Sequence, residues 1–576
     1  MIIFEANIST SLIDFFKTNL EKINTIEQAN ELLKEICGIN FFFNNEEEFT
    51  KLKSKIEENT QAFEEPNRRA YGDFQTNEDL ADSVAKYLCK EGVKPELVIE
   101  PTCGKGRFIL AVLKEFKAIK KIVGIEIYYP YVWETKFGIL DLFLSEKHSC
   151  KPEINIIHAD IFNFNLKDLA AENKDSNTLV IGNPPWVTNS ELSTLNSNNL
   201  PQKSNFKSHK GIDAITGKGN FDIGEYISLQ ILRNFDKCKG IFAFLVKNSV
   251  VKNILHNQWQ SKHQIGNIRK LNIDAKKEFN VSVDACLFLS NFNLTPEYIC
   301  QEIDFYTQEE ITEFGWHKDK FVYSISDYNK AENLDGKSPF VWRQGMKHDC
   351  SKIMELDRFN AHFINGFKQE VSPEKNLLYG LLKSSDLKDE VIDSYRKTTI
   401  VTQKKVGQDT SYIKKEYPQT YNYLDSNRAY FDRRKSSIYR GKPPFSIFGI
   451  GDYSFAKYKV AISGMYKRTT FSLVLPENDK PLMLDDTCYF IGFETIEEAQ
   501  IAQKILNSNI VQAFLKAIIF FDAKRPITKD ILMRIDMEKA YNLLGLKTKT
   551  AENSDWKLFG NKFEIKEEST SQMSLF

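Results

Sequence analysis

At 576 residues, 42% of them hydrophobic and 27% charged, the chain is too long for one core and should divide into two or three domains. No apolar run approaches the roughly 20 residues of a membrane span, and Met1-Ile-Ile-Phe-Glu-Ala-Asn7 lacks a basic n-region and a cleavage site, so a cytoplasmic protein is expected. A formal net charge of −1 leaves the partners open, and nine cysteines without a CxxC pair or a Cys/His cluster read as buried, reduced thiols with no metal site.

Residues 1–70 carry helical spacing. Leu12, Phe15, Phe16, Leu20 and Ile23 recur on one face, and Ile26, Ala29, Leu32, Leu33 and Ile36 on another. No nuclease-like Pro-Asp…Glu-x-Lys arrangement occurs there, so this region reads as a helical cap or flanking arm. From about residue 70 strands alternate with helices. Strands are expected at 96–100, 121–126, 153–158, 177–183, 240–247, 268–273 and 284–290, with helices at 106–118, 128–146, 222–236 and 250–264. Such alternation implies an α/β domain with a parallel sheet covered on both faces.

Three strand ends in succession carry polar groups suited to a nucleoside. The first runs from Glu96 through Glu100 into Pro101-Thr-Cys103-Gly104-Lys-Gly106, where glycines permit a tight turn and close approach of a ligand. Alone, this reads equally as an ordinary βα turn. The second ends at Glu126, where a ribose diol would lie, and the third at His158-Ala-Asp160-Ile161-Phe162, an acid beside apolar surface. Glu126 and Asp160 taken singly are as readily surface acids or helix N-caps. The fourth strand, from Thr178, breaks into Asn183-Pro184-Pro185-Trp186. Neither proline can continue a sheet ladder, so a stiff loop follows at the carboxyl edge, where open α/β sheets bind ligands. An amide, carbonyls and a flat ring suit gripping a planar nitrogen base.

These stretches together resemble the gamma-type, TaqI-like S-adenosylmethionine-dependent N6-adenine DNA methyltransferases of restriction-modification systems. Glu100–Gly106 is similar to their cofactor loop, and Asn183-Pro-Pro-Trp186 to their Asn-Pro-Pro-aromatic motif, with Trp where Tyr or Phe is commoner. Tyr71-Gly-Asp-Phe74-Gln-Thr76-Asn77 resembles the segment that closes over the cofactor, with Asn77 in place of the usual proline. Gly219-Asn-Phe221-Asp222 is a looser match to residues lining the adenosine pocket, and Glu278-Phe279-Asn-Val-Ser-Val-Asp284 to the segment whose Phe stacks on the target base. Core packing is the other reading of Phe279.

The resemblance implies a Rossmann-like methyltransferase domain with a mostly parallel seven-stranded sheet at 71–300. An N-terminal helical region precedes it at 1–70, and a C-terminal mixed α+β target-recognition domain follows at 301–545. It implies S-adenosylmethionine as cofactor, held by Thr76, Glu100, Pro101, Cys103, Gly104, Gly106, Glu126, Asp160, Ile161, Asn183 and Phe221. It implies catalysis by Asn183, Pro184, Pro185, Trp186 and Phe279 on a flipped-out adenine in duplex DNA, in the nucleoid, with or without a separate cognate restriction endonuclease. Cys103 reads as a packing residue, since amino methylation needs no cysteine nucleophile.

Beyond residue 300 the alternation fades. Segments at 341–349 and 377–386 resemble parts of the family's target-recognition domain. Residues 401–468 hold 14 Lys or Arg against five acids, interleaved with Tyr412, Tyr430, Phe431, Tyr439 and Tyr453, which is the footprint of a phosphate-binding face; a solvated surface is the bland alternative. The polar tail 546–576 ends Gln572-Met573-Ser574-Leu575-Phe576, similar to the pentapeptide by which bacterial replication and repair proteins bind the sliding clamp. Two other functions stay open: methylation of RNA or of a protein glutamine by the same loop, and a catalytically inactive DNA-binding module.

Overall fold

The computed structural model describes residues 8–20, 23–58, 75–145, 151–187, 222–281, 283–359 and 362–546. Phe221 and the pentapeptide Gln572–Phe576 lie outside the described residues. The chain forms two units, Met1–Phe321 and Val322–Phe576.

The first unit opens with helices α1 (Thr10–Leu20), α2 (Ile26–Cys37), α3 (Glu46–Glu58) and α4 (Glu78–Lys90). Strands and helices then alternate: β1 (Leu97–Glu100), α5 (Arg107–Glu115), β2 (Lys121–Glu126), α6 (Tyr129–Ser145), β3 (Glu153–His158), α7 (Leu166–Glu172), β4 (Thr178–Gly182), α8 (Ile223–Phe235), β5 (Gly240–Lys247), α9 (Asn248–Ser261) and β6 (Ile265–Ile273). The short α10 (Ala275–Phe279) leads into β7 (Ala285–Phe292), and β8 (Ile299–Asp304), β9 (Glu310–His317) and β10 (Lys320–Val322) follow.

The seven expected strands lie in the order β3-β2-β1-β4-β5-β7-β6, and β8, β9 and β10 extend the sheet beyond β6. Pairings from β3 through β5 are parallel, and β7 runs antiparallel between β5 and β6. That order and the single reversed strand make this a Rossmann-like methyltransferase fold. Because β8 pairs with β6 and β9 with β8, the first unit runs to Phe321 rather than ending near 300. Burial explains the sequence patterns. Interior β1 and β4 are buried at every position and carry the apolar runs Leu97-Val98-Ile99 and Leu179-Val180-Ile181, whereas β3 alternates. Strand order reverses between β1 and β4, so their carboxyl ends open a crevice.

Helices α1 to α3 have no core of their own. Leu12, Phe16, Leu33 and Phe42 share the core of Trp133 and Phe137 on α6. Phe16 meets Phe137 at 6.1 Å, and Phe42 meets Trp133 at 5.8 Å. The fully buried Lys136 donates to the carbonyls of Phe41 and Phe42, which ties α6 to the chain after α2. Seven of the eight described cysteines are buried; Cys89, near the end of α4, is exposed. Among the described residues no helix is long and apolar enough to cross a membrane.

The second unit is a mixed α+β body with two sheets. One has five strands, β11 (Arg343–Gln344), β21 (Cys488–Phe493), β18 (Tyr458–Ser463), β19 (Ser472–Val474) and β16 (Val391–Ile392). The other has six, β14 (Glu370–Val371), β13 (His362–Ile364), β12 (Glu355–Phe359), β17 (Lys397–Ile400), β15 (Leu378–Leu382) and β20 (Met483–Leu484). Between β17 and β18 the basic tract folds as short helices, including α11 (Tyr412–Glu416), α12 (Pro418–Ser426) and α13 (Arg428–Asp432), around buried Ile413, Leu424, Phe431 and Phe445.

One of its cations is internal and a second is half-buried, contrary to a purely surface reading. Lys459 is 1% exposed and donates to the Ala456 carbonyl at 2.7 Å. Arg434 stacks 3.7 Å from the Tyr439 ring centroid and donates to the carbonyls of His348 and Ser446.

Candidate active site

A cleft lies over the carboxyl ends of β1 to β4. Nine of the expected cofactor residues line it: Thr76, Glu100, Pro101, Cys103, Gly104, Glu126, Asp160, Ile161 and Asn183. Pro184 and Pro185 line it as well. Gly106 does not; it makes the turn beneath.

That turn depends on backbone conformation. Gly104 and Gly106 have φ of 52° and 71°, and a Cβ on Gly106 would sit 2.6 Å from Thr135 Cγ2. Gln75 lies across the turn, its side-chain oxygen accepting from the Lys105 amide at 3.3 Å. The Cys103 amide donates to the Ile125 carbonyl, joining the β1 loop to β2.

Glu126 is 7% exposed, and its two carboxylate oxygens accept from the amides of Gly104 and Tyr128, each at 2.7 Å. One acid thus ties the first and second strand ends together while facing the cleft. Asp160 caps its own turn, accepting from the Phe162 amide and the Asn163 side chain at 2.9 Å each. It therefore fulfils the N-cap-like reading and still lines the cleft. Ionised carboxylate oxygens accept more than one bond, so the two readings are compatible. Beside it Ile161 and Phe162 form an apolar wall, and Phe162 packs edge-on against Tyr226 at 5.4 Å.

Glu100 is 2% exposed, and its Oε2 is buried with no hydrogen-bond partner. Burial, with a smaller push from the Glu126 carboxylate, holds its carboxyl well above the usual carboxylate range. An orphaned buried acceptor lining a cleft fits a ligand that brings hydrogen-bond donors and positive charge. Cys103 is buried, and burial, with the Glu100 and Glu126 carboxylates, pushes its thiol well above the ordinary value. A thiol so disfavoured as thiolate is a packing group.

The loop after β4 is held at three points. The Asn183 amide nitrogen donates to the Thr76 hydroxyl at 3.2 Å, the Trp186 indole donates to the Leu245 carbonyl at 3.3 Å, and the Val187 carbonyl accepts from Ile223 at 2.9 Å. Behind it Asp222 caps α8 through the Gly224 amide and pairs with Lys247 at 2.5 Å. Burial raises the Asp222 carboxyl, which Lys247 opposes.

Trp186 and Phe279 come together although 93 positions separate them, yet neither lines the cleft. Trp186 is 5% exposed. Phe279 closes α10, where Asn280 ends the helix with φ of 55°.

Sequence reasoning missed Gln75, Arg107, Tyr128 and Tyr131, which also line the cleft. Gln75 lies one residue before the Thr76 of a motif already singled out, so adjacency could have found it. Tyr128 and Tyr131 read as helix starts, with no polar pattern to distinguish them.

No family model matches the chain. It is 39% identical over 477 residues to the type II methyltransferase M.NspV of Nostoc sp. (strain ATCC 29411 / PCC 7524), across 82% of this chain and 98% of that protein. Among solved structures, the type IIL restriction-modification enzyme MmeI in complex with DNA aligns over 92% of this chain and 76% of its own, at 12% identity and a TM-score of 0.45. The M protein of the type I restriction enzyme EcoKI aligns over 58% and 65%, at 11% identity and a TM-score of 0.26.

Proposed function

The chain belongs to the type II methyltransferases of restriction-modification systems, and from that premise we propose that it methylates N6 of an adenine flipped out of duplex DNA. The observation that carries this reading is Asn183: its amide, oriented by Thr76, stands beside Pro184 at the lip of a cleft holding Glu100, Glu126 and Asp160. S-adenosylmethionine is the cofactor; when bound, it supplies an electrophilic methyl group on a sulfonium.

The cleft residues fit that cofactor by their chemistry. Glu126 offers carboxylate oxygens to a ribose diol, Asp160 accepts from an exocyclic amine with Ile161 and Phe162 beside the ring, and Glu100 faces positive charge. For the target, the lone pair of an adenine amine is delocalised into the ring. The Asn183 side-chain oxygen and the Pro184 carbonyl accept the two amine protons, which favours a pyramidal nitrogen whose lone pair points toward the methyl. Thr76 fixes which end of the Asn183 amide faces the amine. Pro184 and Pro185 keep both acceptors in place, so catalysis is positioning and electrostatics without a covalent enzyme intermediate.

An amine inside a duplex cannot reach this edge, so the base must leave the stack at a cost of a few kcal/mol. The exposed cations of the second unit supply phosphate contacts that hold the duplex.

The test is incubation with labelled S-adenosylmethionine and genomic DNA, RNA or protein, followed by sequencing of the methylated DNA. N6-methyladenine within one recurring sequence is the expected result. Label on RNA or protein alone would overturn the reading, and so would absence of transfer to any of the three.

A further inference from the structure

Asn77 stands where the resembling family carries a proline, and the structure gives the exchange a use. Its side-chain oxygen caps α4, accepting from the Leu80 amide at 2.7 Å, while its side-chain nitrogen reaches across 201 positions to Glu278. It donates to Glu278 Oε2 at 2.9 Å and approaches the Glu278 carbonyl at 3.4 Å. A proline has no side-chain donor and could make neither contact.

The Glu278 carboxylate is 8% exposed and held from its other side too. Tyr306, on the turn after β8, donates its hydroxyl to Oε1 at 2.9 Å, and that hydroxyl accepts from the Asp274 amide at 3.3 Å. Asp274 in turn caps α10 through the amides of Lys276 and Lys277. A five-residue helix has little stability of its own, so these bonds set where it sits. Phe279 is its last residue, next to Glu278 and in edge contact with Trp186.

On the other side, Asn77 follows Gln75 and Thr76, both of which line the cleft, and Thr76 accepts from Asn183. A continuous chain of contacts thus runs from the cleft through Thr76 and Asn77 to Glu278 and Phe279. We propose that Asn77 and Glu278 are positioning residues that couple filling of the cofactor cleft to presentation of Phe279 to the target base. A ligand resting on Gln75 and Thr76 fixes the segment, Asn77 carries that order to Glu278, and α10 holds the Phe279 ring where a base can meet it. Coupling of this kind is reciprocal: a bound target base must tighten the cofactor by the same factor.

The inference rests on the base-flipping function proposed above, so its test separates the two. The probe is a duplex carrying 2-aminopurine at the methylation site found by sequencing, titrated with the full chain with and without S-adenosylhomocysteine. Wild-type protein should raise the emission, and S-adenosylhomocysteine should tighten duplex binding on the order of tenfold, within the range usual for coupled sites. Asn77→Ser, which keeps a hydroxyl to cap α4, and Glu278→Ala should bring that factor close to one. Glu278→Gln, which still accepts from Asn77 and can donate to Tyr306, should keep it. A merely structural role would lower thermal stability in all three without changing the ratio. Full coupling in folded Asn77→Ser and Glu278→Ala proteins would overturn the inference while leaving base flipping intact. No rise in emission with the wild type would overturn the flipping itself, and the inference with it.

Discussion

The Trp186 and Phe279 rings meet edge to face, with centroids 4.8 Å apart and planes at 64°. Two parallel leaves enclosing a base would need roughly 7 Å between them, the sum of two stacking distances near 3.5 Å. The pair is therefore a corner, and under the proposed function a flipped base would stack on one ring while meeting the edge of the other. Trp186 is the more deeply fixed, being buried and bonded to Leu245. Its removal would open a core cavity costing about 3–5 kcal/mol, so Trp186→Phe is the cleaner probe. Phe279→Ala should weaken binding of a duplex with 2-aminopurine at the target by about 1–3 kcal/mol, the worth of one aromatic stack. Trp186→Phe should lose less, and calorimetric affinity for S-adenosylhomocysteine should stay near wild type in both. An unchanged 2-aminopurine signal in Phe279→Ala would remove the ring from the base site.

Asn183→Ala removes one acceptor for the amine and keeps the prolines. Loss of one preorganised polar contact at a reacting centre typically costs about 10²–10³ in rate, and a single-turnover methyl-transfer assay should fall by that factor. Because the contact to Thr76 is also lost, cofactor affinity should drop modestly, within about tenfold for one hydrogen bond. A large fall in cofactor affinity with an unchanged transfer rate would assign Asn183 to binding alone.

Much of this site was legible in the sequence because strand ends at a switch point are marked by residue types that cannot continue a strand. Gly104, Gly106, Pro184 and Pro185 announce the turns, and buried parallel strands give runs such as Leu179-Val180-Ile181. What stayed hidden depends on distance in the chain. Nothing local tells that Asn77 and Glu278 touch, or that β8 and β9 prolong the sheet past residue 300. Nor does a tally of cations tell that Lys459 points inward, since β18 is buried from Lys459 to Ser463 and its pattern does not alternate.

Glu100 should make cofactor binding depend on pH. Its folded-state carboxyl lies well above the usual carboxylate value of about 4.3, so the folded protein holds a proton that the unfolded chain releases. The stability this contributes is present below about pH 4.3 and lost as pH rises toward the raised value. Positive charge entering the cleft favours the carboxylate and expels the proton. Affinity for S-adenosylmethionine should therefore rise across that window, by at most tenfold per pH unit. Calorimetry in buffers of different ionisation enthalpy should detect proton release, and Glu100→Gln should abolish it. Equal heats in all buffers for the wild type would show that binding leaves the protonation of Glu100 unchanged.

The Lys247–Asp222 pair braces the loop after β4 from behind, its side chains only 17% and 11% exposed. Breaking a largely buried pair by removing one partner leaves a charge without its counterpart, at about 3–5 kcal/mol. Lys247→Met should cost near the lower end, because some solvent reaches the site. Lys247→Met with Asp222→Asn should recover most of it, since asparagine still caps α8 at Gly224 without the charge. Urea unfolding of the three proteins reads the difference; equal losses in the single and double variants would mean that packing, not charge, holds the loop.

The basic tract divides into cations that can meet phosphate and one that cannot. Lys404, Lys405, Lys414 and Lys415 are exposed, and none of them makes an ion pair among the described residues. Lys459 is buried, and burial pulls its amine down to about 7. Each phosphate contact contributes about 0.9 to the slope of log K against log salt on duplex DNA. Alanine at one of the four exposed lysines should therefore flatten that slope by up to about 0.9, measured by fluorescence anisotropy between 50 and 200 mM salt. Lys459→Met should leave the slope alone and act on stability. The unfolded chain keeps this amine protonated up to about pH 10.4, while the folded one gives up the proton near 7. Burial thus penalises the fold most below pH 7, and stability rises with pH between those values. Lys459→Met should remove that rise in a urea series from pH 7 to 10. An unchanged slope in all four single alanine variants would place the phosphate-binding face elsewhere in the chain.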